Sequence, residues 1–331
     1  MPQNDREFTT KYDRLVKNLE LCGVVPLITM DNYKAASTLA GALVTSNIRA
    51  LEITFRTSQA PQIINYLTST YKDLIVGAGT VINTQQVDQA IDAGAKYIIT
   101  PSFNEAVVDR CIERNMPIFP GCSNATDIEH AYSKGLRVVK YFPAELNGGV
   151  EMLKALSGPY PFMKFIPTGG INYSNIGKYL AFNKVLFCAG TFIASEENLK
   201  NANFEEIVKN AKKAVNAVID LRFEHIDLNT KVVDTKDPFK VMTTFLGDVY
   251  FKDITDVACF HRYSDNITPT LKGYICYSTP NIERTLYYLN NRGFEVNEKT
   301  IIRNSKCIQE VCFINTITKD YGIKLIRREN E

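Results

Sequence analysis

Apolar and polar positions alternate in short blocks over the first two thirds of the chain. Runs rich in Val, Ile, Leu, Phe and Tyr fall at Val24–Ile28, Ala50–Phe55, Leu74–Ala78, Tyr97–Thr100, Pro117–Phe119, Val138–Phe142, Phe165–Pro167 and Val185–Ala189. Each has the length of a strand. Between them, helical spacing of apolar residues marks Asp31–Val44, Ala60–Thr68, Thr84–Asp92, Asn104–Arg114, Ala125–Ser133, Val150–Leu156 and Tyr173–Ala181, and Phe204–Leu221 closes the set. Asp31 stands as an acidic N-cap for the first of these. Strands alternating with helices predict an α/β fold with a parallel sheet. Eight such units in about 210 residues fit a small closed (β/α)8 TIM barrel. An open doubly wound sheet is the alternative; the Gly-x-Gly-x-x-Gly fingerprint that would favour it is missing after the first strand.

The pattern changes near Leu221 without a Pro/Gly-rich linker. Phe223–Thr230, Pro238–Leu246 and Gly247–Tyr250 read as strand, helix, glycine turn and strand, and Lys272–Thr279, Asn281–Asn291 and Gly293–Val296 repeat that order. This weak repeat predicts a compact α+β domain of paired βαβββ modules. The expected division is therefore 1–221 and 222–331.

Composition narrows the function classes. With 38 basic and 36 acidic residues the net charge is +2, too balanced for a nucleic-acid or anionic-membrane partner. No apolar run reaches membrane-spanning length, and the polar start Met1-Pro-Gln-Asn-Asp-Arg-Glu7 has no secretory core. The eight cysteines (22, 111, 122, 188, 259, 276, 307, 312) form no Cys-x-x-Cys pair, which favours reduced, buried thiols in a cytoplasmic protein over disulfides or a metal site.

The chemistry-bearing residues sit at strand ends. Period-two alternation puts Glu52, Thr54 and Arg56 on one face of their strand, and puts Lys140 with Val138 and Phe142 on the lumen side of another. Buried charge needs a reason; a self-satisfying Glu52–Arg56 ion pair is the plain alternative, and a lysine snorkelling from a strand end is the plain alternative for Lys140. An amine, a carboxylate and a guanidinium so placed are the groups needed to form a Schiff base with a 2-keto acid and move a proton beside it. Burial would favour the neutral, nucleophilic form of the amine. Gly77–Thr80, Pro167–Gly170 and Ala189–Thr191 are glycine turns after apolar strands. Such turns can bring backbone N–H groups to an anion, and the last two fall in the loops where barrels often hold phosphate. Ordinary turn chemistry would also explain them.

Residues 10–220 resemble the 2-keto-3-deoxy-6-phosphogluconate (KDPG) / 4-hydroxy-2-oxoglutarate (KHG) aldolase family. The likeness rests on Leu51–Thr57, Val76–Val81, Val139–Gly149 and Phe165–Ile171, in the family's order and spacing. It implies a (β/α)8 barrel, a homotrimer, no cofactor and no metal, and cleavage of a small 2-keto-3-deoxy acid phosphate to pyruvate and glyceraldehyde 3-phosphate. It further implies Lys140 as the imine-forming residue and Glu52 as general acid/base. Arg56 and Thr80 would hold the pyruvate carboxylate, Thr168 would lie against pyruvate, and Phe142 would wall the imine pocket. Gly169, Gly170, Gly190 and Thr191 would bind the distal phosphate. Three positions depart from the family pattern: Tyr141 for phenylalanine, Thr191 for serine, and Ser102 for the glycine of a Pro-Gly turn.

Residues 222–328 resemble a vicinal-oxygen-chelate (glyoxalase/bleomycin-resistance) domain. Its metal enzymes need about three or four His/Glu ligands spread over both modules. Here His225 has Tyr274 as its counterpart, and Lys324 stands where an acidic ligand would be useful. The expected domain is therefore metal-free, and His130 and His261 receive no catalytic role. Competing readings are a galactonate-series aldolase, a non-catalytic sugar-phosphate sensor, and a metal-dependent glyoxalase or dioxygenase in the C-terminal domain.

Overall fold

The computed structural model describes residues 3–229, 261–264, 271, 273–305, 307–316 and 321–329. The expected elements at Pro238–Leu246 and Gly247–Tyr250, and the His261 side chain, lie outside the described residues. The chain forms two compact units, Met1–Val218 and Ile219–Glu331.

The first unit runs α1 (Gln3–Cys22), β1 (Val24–Ile28), α2 (Tyr33–Thr45), β2 (Ala50–Thr54), α3 (Ala60–Thr70), β3 (Ile75–Gly79), α4 (Thr84–Asp92), β4 (Ile98–Ile99), α5 (Glu105–Glu113), β5 (Ile118–Phe119), β6 (Gly121–Cys122), α6 (Ala125–Ser133), β7 (Val138–Tyr141), α7 (Gly149–Ser157), β8 (Lys164–Pro167), α8 (Ile176–Leu180), β9 (Cys188–Gly190), α9 (Glu196–Lys200) and α10 (Phe204–Ile219). The strands form a curled parallel sheet. Pairing follows β5-β4-β3-β2-β1-β9 and β6-β7-β8, and parallel bridges Phe165–Val185 and Thr168–Ala189 link the β8 and β9 segments. Pro120, which has no N–H to donate, separates β5 from β6, so the expected strand Pro117–Phe119 resumes beyond the proline.

Asparagines start many of the helices. Asn32, Asn83, Asn104 and Asn124 accept from backbone N–H groups three residues on, at 2.8, 2.9, 3.2 and 3.0 Å. Each satisfies a donor that the first helical turn leaves free. The cap of α2 is thus Asn32 and not Asp31. In the first unit, two described helices escaped the pattern: α1, whose apolar positions are diluted by charges, and the five-residue α9.

Register aligns the side chains that matter. Leu27, Glu52 and Gly77 lie abreast across β1, β2 and β3. Gly121, Lys140 and Ile166 lie abreast across β6, β7 and β8. Neighbours in a parallel ladder share a face.

The second unit contains β10 (Arg222–Asn229), β11 (His261–Ser264), β12 (Gly273–Thr279), α11 (Ile282–Asn290), β13 (Ile302–Arg303), β14 (Ile308–Thr316) and β15 (Tyr321–Arg327). Its sheet order is β11-β10-β12-β15-β14-β13. Ile282 and Leu286 of α11 pack with Ile308, Val311, Phe313 and Leu325. The expected strand at Gly293–Val296 reduces to one bridge, Val296–Phe313; Gly293, at φ 82°, carries the turn after α11.

Candidate active site

Glu52 is fully buried in β2 and Lys140 is 3% exposed in β7. The lysine does not snorkel. Neither carboxylate oxygen of Glu52 has a hydrogen-bond partner, so the self-satisfying ion pair with Arg56 is also excluded. Burial raises the Glu52 pKa, against the pull of Lys140 and Arg56. Burial lowers the Lys140 pKa, with Glu52 opposing and Arg56 assisting. The two shifts act in the same direction chemically: each group is driven toward its neutral form, one a proton donor and the other a nucleophile. Lys140 Nζ lies 4.8 Å from the centre of the Phe142 ring, an apolar wall that adds to its desolvation.

The space for Glu52 comes from β3. A Cβ on Gly79 would stand 1.8 Å from Oε1 of Glu52, and a Cβ on Gly77 would stand 2.2 Å from the Tyr97 ring. Tyr97 is fully buried and its hydroxyl donates to the Leu51 carbonyl at 3.1 Å, fixing the residue before Glu52. Gly77 and Gly79 thus serve as vacated volume, a use the sequence pattern did not reveal.

Arg56 lies beyond the strand. The β2 ladder ends with Phe55 N–H donating to Gly79 O at 2.7 Å, and Thr57 then turns back to donate to Met30 O at 3.0 Å. Arg56 is therefore exposed and lines an open groove of about 780 Å³ with Tyr33, Phe55 and Gln62. The expected lumen-facing alternation stops at Thr54.

The remaining residues expected in the site stand at strand ends. Thr80 follows β3 with φ 57°, a conformation costly for a β-branched residue. Thr168 follows β8, 3% exposed, with its hydroxyl donating to Ile166 O at 3.4 Å. Gly169 and Gly170 have φ of 98° and 80°. Gly190 is buried while Thr191 is exposed. The arrangement is a buried amine–acid pair with glycine turns at neighbouring strand ends.

A protein-family profile described as "KDPG and KHG aldolase" matches residues 15–210, more than half of the chain. The chain belongs to the KDPG and KHG aldolase family. A 2-dehydro-3-deoxy-phosphogluconate aldolase of Treponema pallidum is 39% identical over 200 residues, 60% of this chain and 95% of that protein. The KHG/KDPG aldolase of Escherichia coli K12 is 38% identical over 192 residues, 58% of this chain and 90% of its own length. Among solved structures, the KDPG aldolase of Legionella pneumophila, with pyruvate captured as a covalent carbinolamine intermediate, superimposes with TM-score 0.58 at 34% identity, covering 60% of this chain and 97% of that one. The family is one of aldolases, which are aldehyde-lyases.

The second unit holds a cluster of which sequence reasoning singled out only His225. His225, Asp227 and Cys276 place one ligand atom each within 4.8 Å of one another. His225 Nε2 is 3.2 Å from Asp227, and Cys276 is the ladder partner of His225. Lys324 bonds Asp227 at 3.0 Å and Glu310 at 2.9 Å. Burial works against its charge, but these two carboxylates raise its pKa. A cation already fills the carboxylate side of this cluster, which therefore fits a metal poorly. Among the described residues, no helix is long and apolar enough to cross a membrane.

Proposed function

We propose that this protein is a Schiff-base aldolase that cleaves 2-dehydro-3-deoxy-6-phosphogluconate to pyruvate and glyceraldehyde 3-phosphate. The observation that carries this reading is the buried Lys140–Glu52 pair, both members driven toward neutrality. The neutral amine of Lys140 attacks the C2 carbonyl to give a carbinolamine. Glu52 donates the proton that lets water leave, and an iminium forms. The Glu52 carboxylate then takes the C4 hydroxyl proton. The C3–C4 bond breaks, its electron pair moves into the iminium to give an enamine, and the aldehyde departs. Reprotonation at C3 and hydrolysis release pyruvate and the amine.

In this reading Arg56 and Thr80 hold the substrate carboxylate, with Arg56 reaching in from the rim. Thr168 and Phe142 bound the pyruvate portion. Gly169, Gly170, Gly190 and Thr191 receive the phosphate, supported by the left-handed glycines and the exposed threonine. The curled sheet is read as a closed (β/α)8 barrel over 1–221, supported by strand pairing that continues from Pro120 through β6, β7 and β8 to the β9 segment. We assign 222–331 to a metal-free glyoxalase-like domain, supported by the β12-α11-β13-β14-β15 order and by Lys324. A cytoplasmic homotrimer is the assembly in keeping with the family.

Borohydride reduction in the presence of pyruvate tests the central step. Lys140 should carry a stable secondary amine, and a Lys140→Ala protein should take no label. A folded, full-length protein that gives no adduct at Lys140 excludes the mechanism.

A further inference from the structure

Glu145 follows β7 and has no part in the chemistry above, yet it lies against the turn assigned to phosphate. Ala144 N–H donates to Thr168 O at 2.8 Å, and Glu145 N–H donates to Gly169 O at 3.1 Å. The residues after β7 thus continue the ladder beside the residues after β8. A Cβ on Gly170 would stand 2.6 Å from Glu145 Cγ and 2.7 Å from its Cβ, and a Cβ on Gly169 would stand 3.1 Å from Pro143 Cα. The two left-handed glycines are pressed between Pro143 and the Glu145 stem.

The head of Glu145 is fixed as well. The hydroxyl of Tyr179, on α8, donates to its Oε1, and Tyr179 is 1% exposed. Burial and the neighbouring carboxylate both raise the Tyr179 pKa, so the hydroxyl keeps its proton under ordinary conditions. A Cβ on Gly149, the first residue of α7, would lie 3.6 Å from both Glu145 Oε1 and the Tyr179 hydroxyl. The carboxylate therefore faces the positive end of α7. A free carboxylate beside an anion-binding turn would repel the anion. Here its charge is turned toward a hydroxyl donor and a helix N-terminus, while its methylenes shape the turn.

We infer that Glu145 and Tyr179 form a positioning clamp that holds the Gly169–Gly170 turn in the shape that receives the substrate's distal phosphate. Both residues act through the turn and touch no reacting atom. The clamp rests on the assignment of that turn to phosphate.

The full-length protein and its Tyr179→Phe and Glu145→Gln variants are compared on 2-dehydro-3-deoxy-6-phosphogluconate, on the unphosphorylated 2-dehydro-3-deoxygluconate, and in borohydride labelling with pyruvate. Tyr179→Phe is expected to raise KM for the phosphorylated substrate about tenfold, the scale of one lost hydrogen bond to a charged group. Its kcat, its action on the unphosphorylated substrate and its pyruvate labelling should stay within about twofold of the parent. Glu145→Gln keeps an oxygen acceptor for Tyr179 and should remain close to the parent. The clamp is overturned if Tyr179→Phe leaves the phosphorylated KM unchanged, if it impairs both substrates or the labelling equally, or if Glu145→Gln is as impaired as Tyr179→Phe. A parent protein that treats the two substrates alike overturns the phosphate assignment and the clamp together; a parent that prefers the phosphorylated one leaves the variants to decide the clamp alone.

Discussion

Gly79 and Glu52 share one volume: the Cβ that Gly79 lacks would stand 1.8 Å from one carboxylate oxygen of Glu52 and 2.5 Å from its carbon. The acid can sit inside the sheet because the neighbouring strand leaves a side chain out. Gly79→Ala should therefore displace the carboxylate. Overpacking should cost about 1–3 kcal/mol of stability, and a displacement on the ångström scale should lower kcat by about 100-fold. Steady-state kinetics with thermal unfolding checks this, and an active Gly79→Ala enzyme would contradict the packing argument.

The raised pKa of Glu52 makes a second prediction, with a definite sign. In the folded protein Glu52 keeps its proton above the usual 4.5, while in the unfolded chain it loses it there. Its contribution to stability is complete below that value and declines as pH rises through the folded pKa. Glu52→Gln has no such decline. The stability of Glu52→Gln relative to the parent should climb with pH above about 4.5, by at most about 1.4 kcal/mol per unit, and then level off. Urea unfolding at several pH values measures it; a difference independent of pH sinks the idea.

Thr80 holds a left-handed backbone at φ 57°. Thr80→Gly should relieve that strain and stabilise the fold by about 1 kcal/mol, while removing the hydroxyl assigned to the substrate carboxylate. The expected result is a protein with higher Tm and higher KM. A variant that loses stability would show that the threonine side chain contributes more than its backbone costs.

Lys324 joins Asp227 and Glu310, and the Asp227 side chain is only 5% exposed. Lys324→Ala leaves that carboxylate with His225 and no ammonium. The loss should be about 3 kcal/mol, in the range for breaking a buried pair from one side. Denaturant unfolding of the full chain, followed by a probe in the second unit, reads it out.

Much of this was legible in the chain. The strand runs at Val24–Ile28 and Val138–Phe142 and the helices Thr84–Asp92 and Ala125–Ser133 match the observed elements closely, because β-branched runs and amphipathic spacing are local signals. The alternation from which Glu52 and Lys140 are expected on the lumen side is equally local, and both side chains are buried. Arg56 shows where that logic ends: the period of two holds only while the ladder lasts, and the ladder stops at Phe55. The Gly79 vacancy and the meeting of His225 with Cys276 depend on which residues stand opposite each other across strands, and a single strand's pattern does not record its register. The Glu145–Tyr179 contact spans 34 residues and left no signal in either segment.

The bridge made by Lys324 has a consequence for how the second sheet comes into being. Its central positive charge is carried on β15 itself and arrives when that strand docks beside β12. The ammonium that faces Asp227 and Glu310 is thus delivered by the chain's own topology, in the same step that pairs β15 with β12.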